Sequence, residues 1–285
     1  MSRQANSVKM PVCLAFFQFD AIFFRHKPCN TVTMKSRLPL FLIVLGILQP
    51  VSGALAPVLG IGTPIGEATR GLQAPEQPLP AYFSIWSLIS GAYIAFAYTA
   101  WRHREPWMLR VGAPLAGAGL ANIVWMLSAQ LIAQQRVDFV LLFPIATLSW
   151  TAAARFDRMR GMGGSPQKLV ADAATGLLSG WILVAIGISV PLVIRGLADY
   201  GPTDLPWQML WIFLGTVALG SWVFARYISR SLWFFVALAW GLMGVIANNW
   251  MVTGMEWLAI MTAVSGSLIL GLRLLRGADG TTVPA

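Results

Sequence analysis

The feature that most constrains this chain is a series of long apolar runs, with nearly all of its charged residues gathered between them. Hydrophobic residues make up 57% of the 285 residues and charged residues only 11%, whereas soluble domains carry about 25% charged residues. Because lipid offers no hydrogen-bond partners, such runs must fold as helices that satisfy their own backbone groups. The sequence therefore predicts an all-α polytopic membrane protein whose main partner is the lipid bilayer.

Eight apolar runs are candidates for membrane spans. The first extends from Leu38 through Ile61. Seven more follow, each bounded by charged residues, Pro or Gly: residues 81–101, 111–133, 139–154, 169–194, 207–225, 232–250 and 257–275. Crossing about 30 Å of hydrocarbon takes roughly 20 helical residues. The fourth run is shorter than that, so we expect it to be tilted or to extend at either end.

The basic residues between the runs predict the orientation. Counted from Met34 with eight spans, 13 Lys and Arg residues fall on one side of the membrane and 3 on the other. The smaller set is Arg70, Arg136 and Arg195; the larger is Lys35, Arg37, Arg102, Arg104, Arg110, Arg155, Arg158, Arg160, Lys168, Arg226, Arg230, Arg273 and Arg276. Basic loops stay in the cytoplasm. We therefore expect eight spans, both ends inside, in a bacterial inner membrane.

The first 33 residues differ from the rest. Their apolar stretch is too short to span, and a basic start at Met34 precedes the first clean run. One hypothesis is that translation begins at Met34 and residues 1–33 are an annotation overhang; a disordered tail or an amphipathic anchor is the alternative. The segment after Met34 also resembles a signal peptide, but its apolar run is long enough to span, so we favour an uncleaved first helix. Residues 277–285 are predicted to be a short tail.

Several classes of function are disfavoured by what the spans lack. Asp172 lies in the first turn of the fifth predicted span, and Asp138 and Glu256 lie just before two others, so all three can reach water. An ion pump with a midplane carboxylate is therefore not expected. Neither histidine and neither cysteine lies in a span, so we expect no metal site, no required cofactor and no enzyme. The net charge of +9 forms no basic stripe, so no nucleic-acid partner is expected.

Aromatic and amide side chains mark a candidate binding site. In the third span Asn122 precedes Trp125 by three residues, so the two share one helix face. In the fifth, Gly176 and Gly180 let a neighbouring helix approach closely, which permits a homodimer without requiring one. Packing and interhelical hydrogen bonding would account for the same residues. The alternative is a pocket for a flat, hydrophobic small-molecule ligand, with these candidate contacts: Phe83, Trp86, Tyr93, Asn122, Trp125 and Trp181.

Three motifs follow one another along the chain, at residues 78–86, 122–125 and 180–185. Together, and in this order, they resemble the TspO/MBR family, the tryptophan-rich sensory proteins that include the translocator protein. Residues 78–86 (PLPAYFSIW) resemble the family's proline-containing loop and the aromatic start of its second span. Residues 122–125 (NIVW) match its third span, and residues 180–185 (GWILVA) are the candidate for the mid-helix Trp of its fifth. The resemblance covers about residues 38–194, and residues 240–244 with Asn248 resemble an extension found in longer bacterial members.

The resemblance implies a five-helix region at residues 34–195, with three further helices at residues 196–276. Family members are implicated in binding porphyrins and other tetrapyrroles, and in sensing or moving them. The resemblance thus implies a tetrapyrrole ligand, although the family's Pro-Tyr start of the fifth span is missing here. The alternative is an eight-span small-molecule transporter, which paired broken helices would favour. Pro50, Pro144 and Pro191 are the positions where spans could break.

The predicted orientation can be tested with reporter fusions. We expect green fluorescent protein fused after residue 104 or residue 276 to fluoresce, and alkaline phosphatase fused there to be inactive, because both positions follow an even number of spans. Fusions after residue 200 should show the opposite pattern. The same reporter response at residues 104 and 200 would contradict the eight-span topology.

Overall fold

The computed structural model describes residues 31–65 and 74–275, and these residues form helices and connecting loops with no β-strand. The eight long helices are α1 (Thr31–Gly53), α2 (Ile85–His103), α3 (Pro106–Leu131), α4 (Gln135–Arg158), α5 (Ser165–Ala198), α6 (Pro206–Val223), α7 (Leu232–Met251) and α8 (Glu256–Gly271). From Arg37 onward the described residues form one compact unit. Of the N-terminal segment 1–33, residues 1–30 lie outside the described residues, as does the predicted tail at residues 277–285, and residues 31–33 form the start of α1.

The all-helical membrane architecture is confirmed. Among the described residues, seven helical stretches, those that contain α2 to α8, are long and apolar enough to cross a membrane. The apolar part of α1, Arg37–Gly53, is shorter than these seven. The count of eight spans and the orientation therefore remain predictions. The short fourth run is extended at both ends, since α4 covers 24 residues and measures about 36 Å.

The prolines at which a span could break do not interrupt their helices. Pro50 lies inside α1, Pro144 inside α4 and Pro191 inside α5, and each helix continues through its proline. Proline removes one backbone donor, and neighbouring helices can compensate for that loss within a membrane bundle. The broken helices that would have favoured a transporter are therefore not present at these three positions.

Helix α5 lies at the centre of the bundle, where it contacts α2, α4, α6 and α7. Two of its glycines, Gly176 and Gly180, face α7: a Cβ atom at Gly180 would overlap the carbonyl oxygen of Phe234 and would lie 3.0 Å from the Cβ of Ala237. Such close backbone approach requires glycine. The helix pairing predicted from Gly176 and Gly180 is thus made within the chain, with a helix from the C-terminal part.

At the end of the bundle that carries the basic loops, an aromatic stack and a carboxylate connect α4, α6 and α7. Helix α6 ends in a π-helical turn, Phe224–Ile228, whose Phe224 ring stacks on Phe234 at a centroid distance of 3.7 Å. The Asp157 carboxylate at the end of α4 accepts hydrogen bonds from the Ser229 hydroxyl and the Arg230 backbone N–H, both at 3.2 Å. These contacts connect α4 with the loop between α6 and α7.

The packing of α5 against α7 yields a stability prediction. We expect Gly180→Ala to lower the free energy of unfolding by about 1–3 kcal/mol, because the new methyl group has no room against Phe234. Thermal unfolding followed by circular dichroism in detergent measures the change. The matched control is Gly91→Ala, where no heavy atom lies within 4 Å of the added Cβ. Equal melting temperatures for the two variants would contradict the close packing.

Candidate functional site

Four of the six candidate residues meet at one aromatic cluster, defined by Phe83, Trp86, Trp125 and Trp181. The Trp86 ring lies 5.8 Å from the Trp125 ring and 6.4 Å from the Trp181 ring, measured between centroids. Phe83 contacts Trp181 edge-on at 5.7 Å. Trp86, Trp125 and Trp181 come from α2, α3 and α5, and Phe83 comes from the short 3-10 helix Pro80–Ser84 just before α2. Helical spacing brings Phe83 and Trp86 to one face, and tertiary packing brings α3 and α5 to meet them.

Two indole groups of the aromatic cluster have unused hydrogen-bonding capacity. Within the described residues, the Nε1 atoms of Trp86 and Trp125 are buried and have no hydrogen-bond partner. Buried polar groups are nearly always paired, and an unpaired one costs about 1–3 kcal/mol. The cluster therefore presents aromatic rings together with two N–H donors that an acceptor on a ligand could use.

The other two candidates lie further along the interface of α2 and α3. The Tyr93 hydroxyl is fully buried and donates to the Leu115 carbonyl at 3.2 Å. The Asn122 Nδ2 donates to Gln49 Oε1 on α1 at 3.0 Å, while its Oδ1 has no partner among the described residues. Asn122 thus makes the interhelical hydrogen bond that packing alone would predict. Its free oxygen keeps it a candidate contact, whereas the Tyr93 hydroxyl is already satisfied by the protein.

Helix α1 is held against α3 by amide side chains. The Gln130 Nε2 donates to the Ser52 carbonyl at 2.7 Å, and its Oε1 accepts from the Ala56 backbone N–H at 2.9 Å. These groups lie at the end of α1, where the backbone leaves the helix and its polar atoms need new partners. Together with the Gln49–Asn122 pair, they place α1 beside the interface of α2 and α3.

A buried ion pair anchors the loop that precedes α2. We call residues 74–82 the strap. The Glu76 carboxylate, with no exposed surface, accepts from Arg195 Nε at 3.1 Å and Nη2 at 3.4 Å. Arg195 lies in the last turn of α5 and also donates to the carbonyls of Gly201 and Asp204. Burial raises the pKa of the Glu76 carboxyl above its ordinary value, and the Arg195 guanidinium opposes that rise.

The strap also lies along α7, whose side chains donate hydrogen bonds to the backbone carbonyls of the strap. Asn248 Nδ2 donates to the Ala74 carbonyl at 3.1 Å, and Asn249 Nδ2 donates to the Pro75 carbonyl at 2.6 Å. The backbone N–H of Leu79 donates to the Gly244 carbonyl at 2.9 Å, and Trp240 Nε1 donates to the Tyr82 carbonyl at 2.7 Å. The strap is therefore fixed by α5 and α7, directly before the aromatic cluster begins.

Sequence reasoning did not identify the ion pair. Arg195 was counted only as one of three basic residues on the outer side, and Glu76 was not singled out. One signal was present: an Arg at the end of a span on the side that otherwise carries few basic residues. Nothing local, however, indicates that its partner lies 119 positions earlier in the chain.

Helix composition and the buried polar contacts define a multi-pass α-helical membrane protein. The sequence model of the TSPO-like protein family matches residues 40–275, most of the chain, so the protein belongs to this family. The match extends past residue 194, where the resemblance seen in the sequence ended, and includes all of α6, α7 and α8. No curated protein and no solved structure matches the chain. In the described residues, no group of three or more His, Cys, Asp or Glu could hold a metal ion.

The buried ion pair yields a second stability prediction. We expect Glu76→Gln to lower the free energy of unfolding by about 3–5 kcal/mol, because it leaves the Arg195 charge buried without a counterion. The double variant Glu76→Gln/Arg195→Gln should recover part of that loss. Denaturant titration of the detergent-solubilised protein provides the measurement. Glu256→Gln is the matched control at an exposed position, and losses at Glu76 no larger than at Glu256 would contradict the role of the pair.

Proposed function

We propose that this protein binds a flat, largely apolar ligand of the tetrapyrrole class between α2, α3 and α5, and that it senses or moves this ligand. The observation that carries the proposal is the aromatic cluster, which combines four rings with two unpaired indole N–H groups. Membership in the TSPO-like family supports it. The setting we propose is a bacterial inner membrane with both chain ends in the cytoplasm.

The residues of the cluster would have distinct roles. Phe83, Trp86, Trp125 and Trp181 would stack on the face or edge of the ligand. The two indole N–H groups would donate to carboxylate or ring-nitrogen acceptors, and the free Oδ1 of Asn122 would accept from a pyrrole N–H. These functions involve binding alone, so we propose neither catalysis nor a required cofactor.

Binding requires the cluster to open. A flat ligand stacked between two rings separates their planes by about 7 Å, since aromatic carbons contact at about 3.5 Å. The Trp86 and Trp125 centroids are only 5.8 Å apart. Trp86 must therefore move away from Trp125 when the ligand enters. Trp86 follows the strap by four residues, so the anchoring of the strap bears directly on this movement.

The proposal predicts saturable binding of protoporphyrin IX to the purified protein. We expect tryptophan fluorescence to be quenched at micromolar ligand. The dissociation constant should rise about tenfold or more in Trp86→Leu and in Trp125→Leu, because each lost ring removes roughly 1.5–3 kcal/mol of apolar contact. Trp257→Leu, at a side chain that is 73% exposed, is the control. Absence of saturable quenching, or unchanged affinity in both cluster variants, would refute tetrapyrrole binding at this site.

A further inference from the structure

We infer that α7 is a positioning helix for the aromatic cluster: its contacts with the strap determine where Phe83 and Trp86 stand relative to Trp181. This assigns a role to a helix outside the predicted five-helix region. The inference rests on the proposed function only for its ligand-binding readout, because the contacts themselves are independent of any ligand.

The contacts follow a regular register. Trp240, Gly244 and Asn248 recur at intervals of four, so they form one face of α7. They meet the strap at Tyr82, Leu79 and Ala74, in that order. The strap therefore runs antiparallel to α7 over roughly 12 Å of helix. Three hydrogen bonds in register leave little freedom for the strap to slide along the helix.

Gly244 sets the separation between α7 and the strap. A Cβ atom at this position would lie 2.7 Å from the Cβ of Pro78 and 2.9 Å from Cγ of Tyr82. Real Cβ atoms do not approach other heavy atoms this closely, so any side chain here must displace the strap. The Tyr82 ring also rests on the Trp240 ring, with centroids 5.1 Å apart. Displacement at Gly244 is thus transmitted to Tyr82, the residue before Phe83.

Helix α5 also holds the strap in place. The Glu76–Arg195 pair connects the strap to α5, and the same helix carries Trp181 of the aromatic cluster. Helices α5 and α7 are themselves in close contact at Gly176 and Gly180. Helices α5 and α7 therefore both hold the strap, and the chain continues directly from the strap to Phe83 and Trp86. A change on α7 should alter the cluster although α7 contributes no ring to it.

The test compares Gly244→Ala with Gly215→Ala, a matched control in α6 where no heavy atom lies within 4 Å of the added Cβ. Both are made in a Cys13→Ser/Cys29→Ser background carrying Gln77→Cys as a reporter in the strap, where Gln77 is 7% exposed. A hydrophilic maleimide added to the purified, full-length protein in detergent measures exposure of the strap. Near-ultraviolet circular dichroism reports the ring arrangement, and titration with protoporphyrin IX reports affinity.

We expect Gly244→Ala to raise the labelling rate at Gln77→Cys by about tenfold and the protoporphyrin dissociation constant by about tenfold. Both changes are expected because overpacking displaces the strap from α7. The near-ultraviolet signal should change, while far-ultraviolet helix content stays the same. Gly215→Ala should match the parent in all readouts. Labelling and near-ultraviolet spectra identical in Gly244→Ala and Gly215→Ala would overturn the inference.

A second variant keeps the test decisive if Gly244→Ala does not fold. Asn248→Ala removes the donor to the Ala74 carbonyl without adding volume, and it should raise labelling in the same direction; parent-like labelling would count against the inference. If the parent protein itself does not bind protoporphyrin IX but labelling and spectra change in the variants as expected, the positioning role stands and the proposed ligand fails. If the parent protein binds protoporphyrin IX but labelling is unchanged in Asn248→Ala, the proposed ligand stands and the positioning role fails.

Discussion

The absence of hydrogen-bond partners in lipid is the constraint on which this structure depends. Helices satisfy it within themselves, but residues 74–78 of the strap are not helical and are nevertheless buried. Its backbone carbonyls accept hydrogen bonds from amide and indole side chains of α7, and the Glu76 carboxylate pairs with Arg195 of α5. The strap can therefore lie at only one place in the bundle, against those two helices.

The aromatic cluster depends on this placement. Three of its rings come from α2, α3 and α5, and Phe83 comes from the 3-10 helix just before α2. The position of the strap therefore determines where Phe83 and Trp86 lie. The cluster is closed as it stands, with ring centroids 5.7–6.4 Å apart, while two indole donors and the Asn122 oxygen have no partner among the described residues. A closed, apolar site with unused polar atoms is suited to a ligand that separates the rings as it enters.

The C-terminal helix α7 packs against α5 and the strap, which hold the aromatic cluster. Gly176 and Gly180 of α5 pack against α7, and α7 in turn contacts the strap. The family match through residue 275 agrees with this arrangement, since it includes the C-terminal helices together with the earlier ones. The division near residue 195 describes where the resemblance to five-span proteins ends. It does not correspond to a gap in the packing among the described helices.

The sequence by itself determined the class of the protein, the positions of its helices and four of the residues that meet in the aromatic cluster. Those properties depend on local composition and helical spacing, which any segment of the chain carries within itself. Only the tertiary structure decided that Arg195 pairs with Glu76, that Asn122 bonds Gln49 and that the strap lies on α7. These contacts join residues 73 to 174 positions apart, and they depend on which helix faces pack together, which a local pattern does not specify.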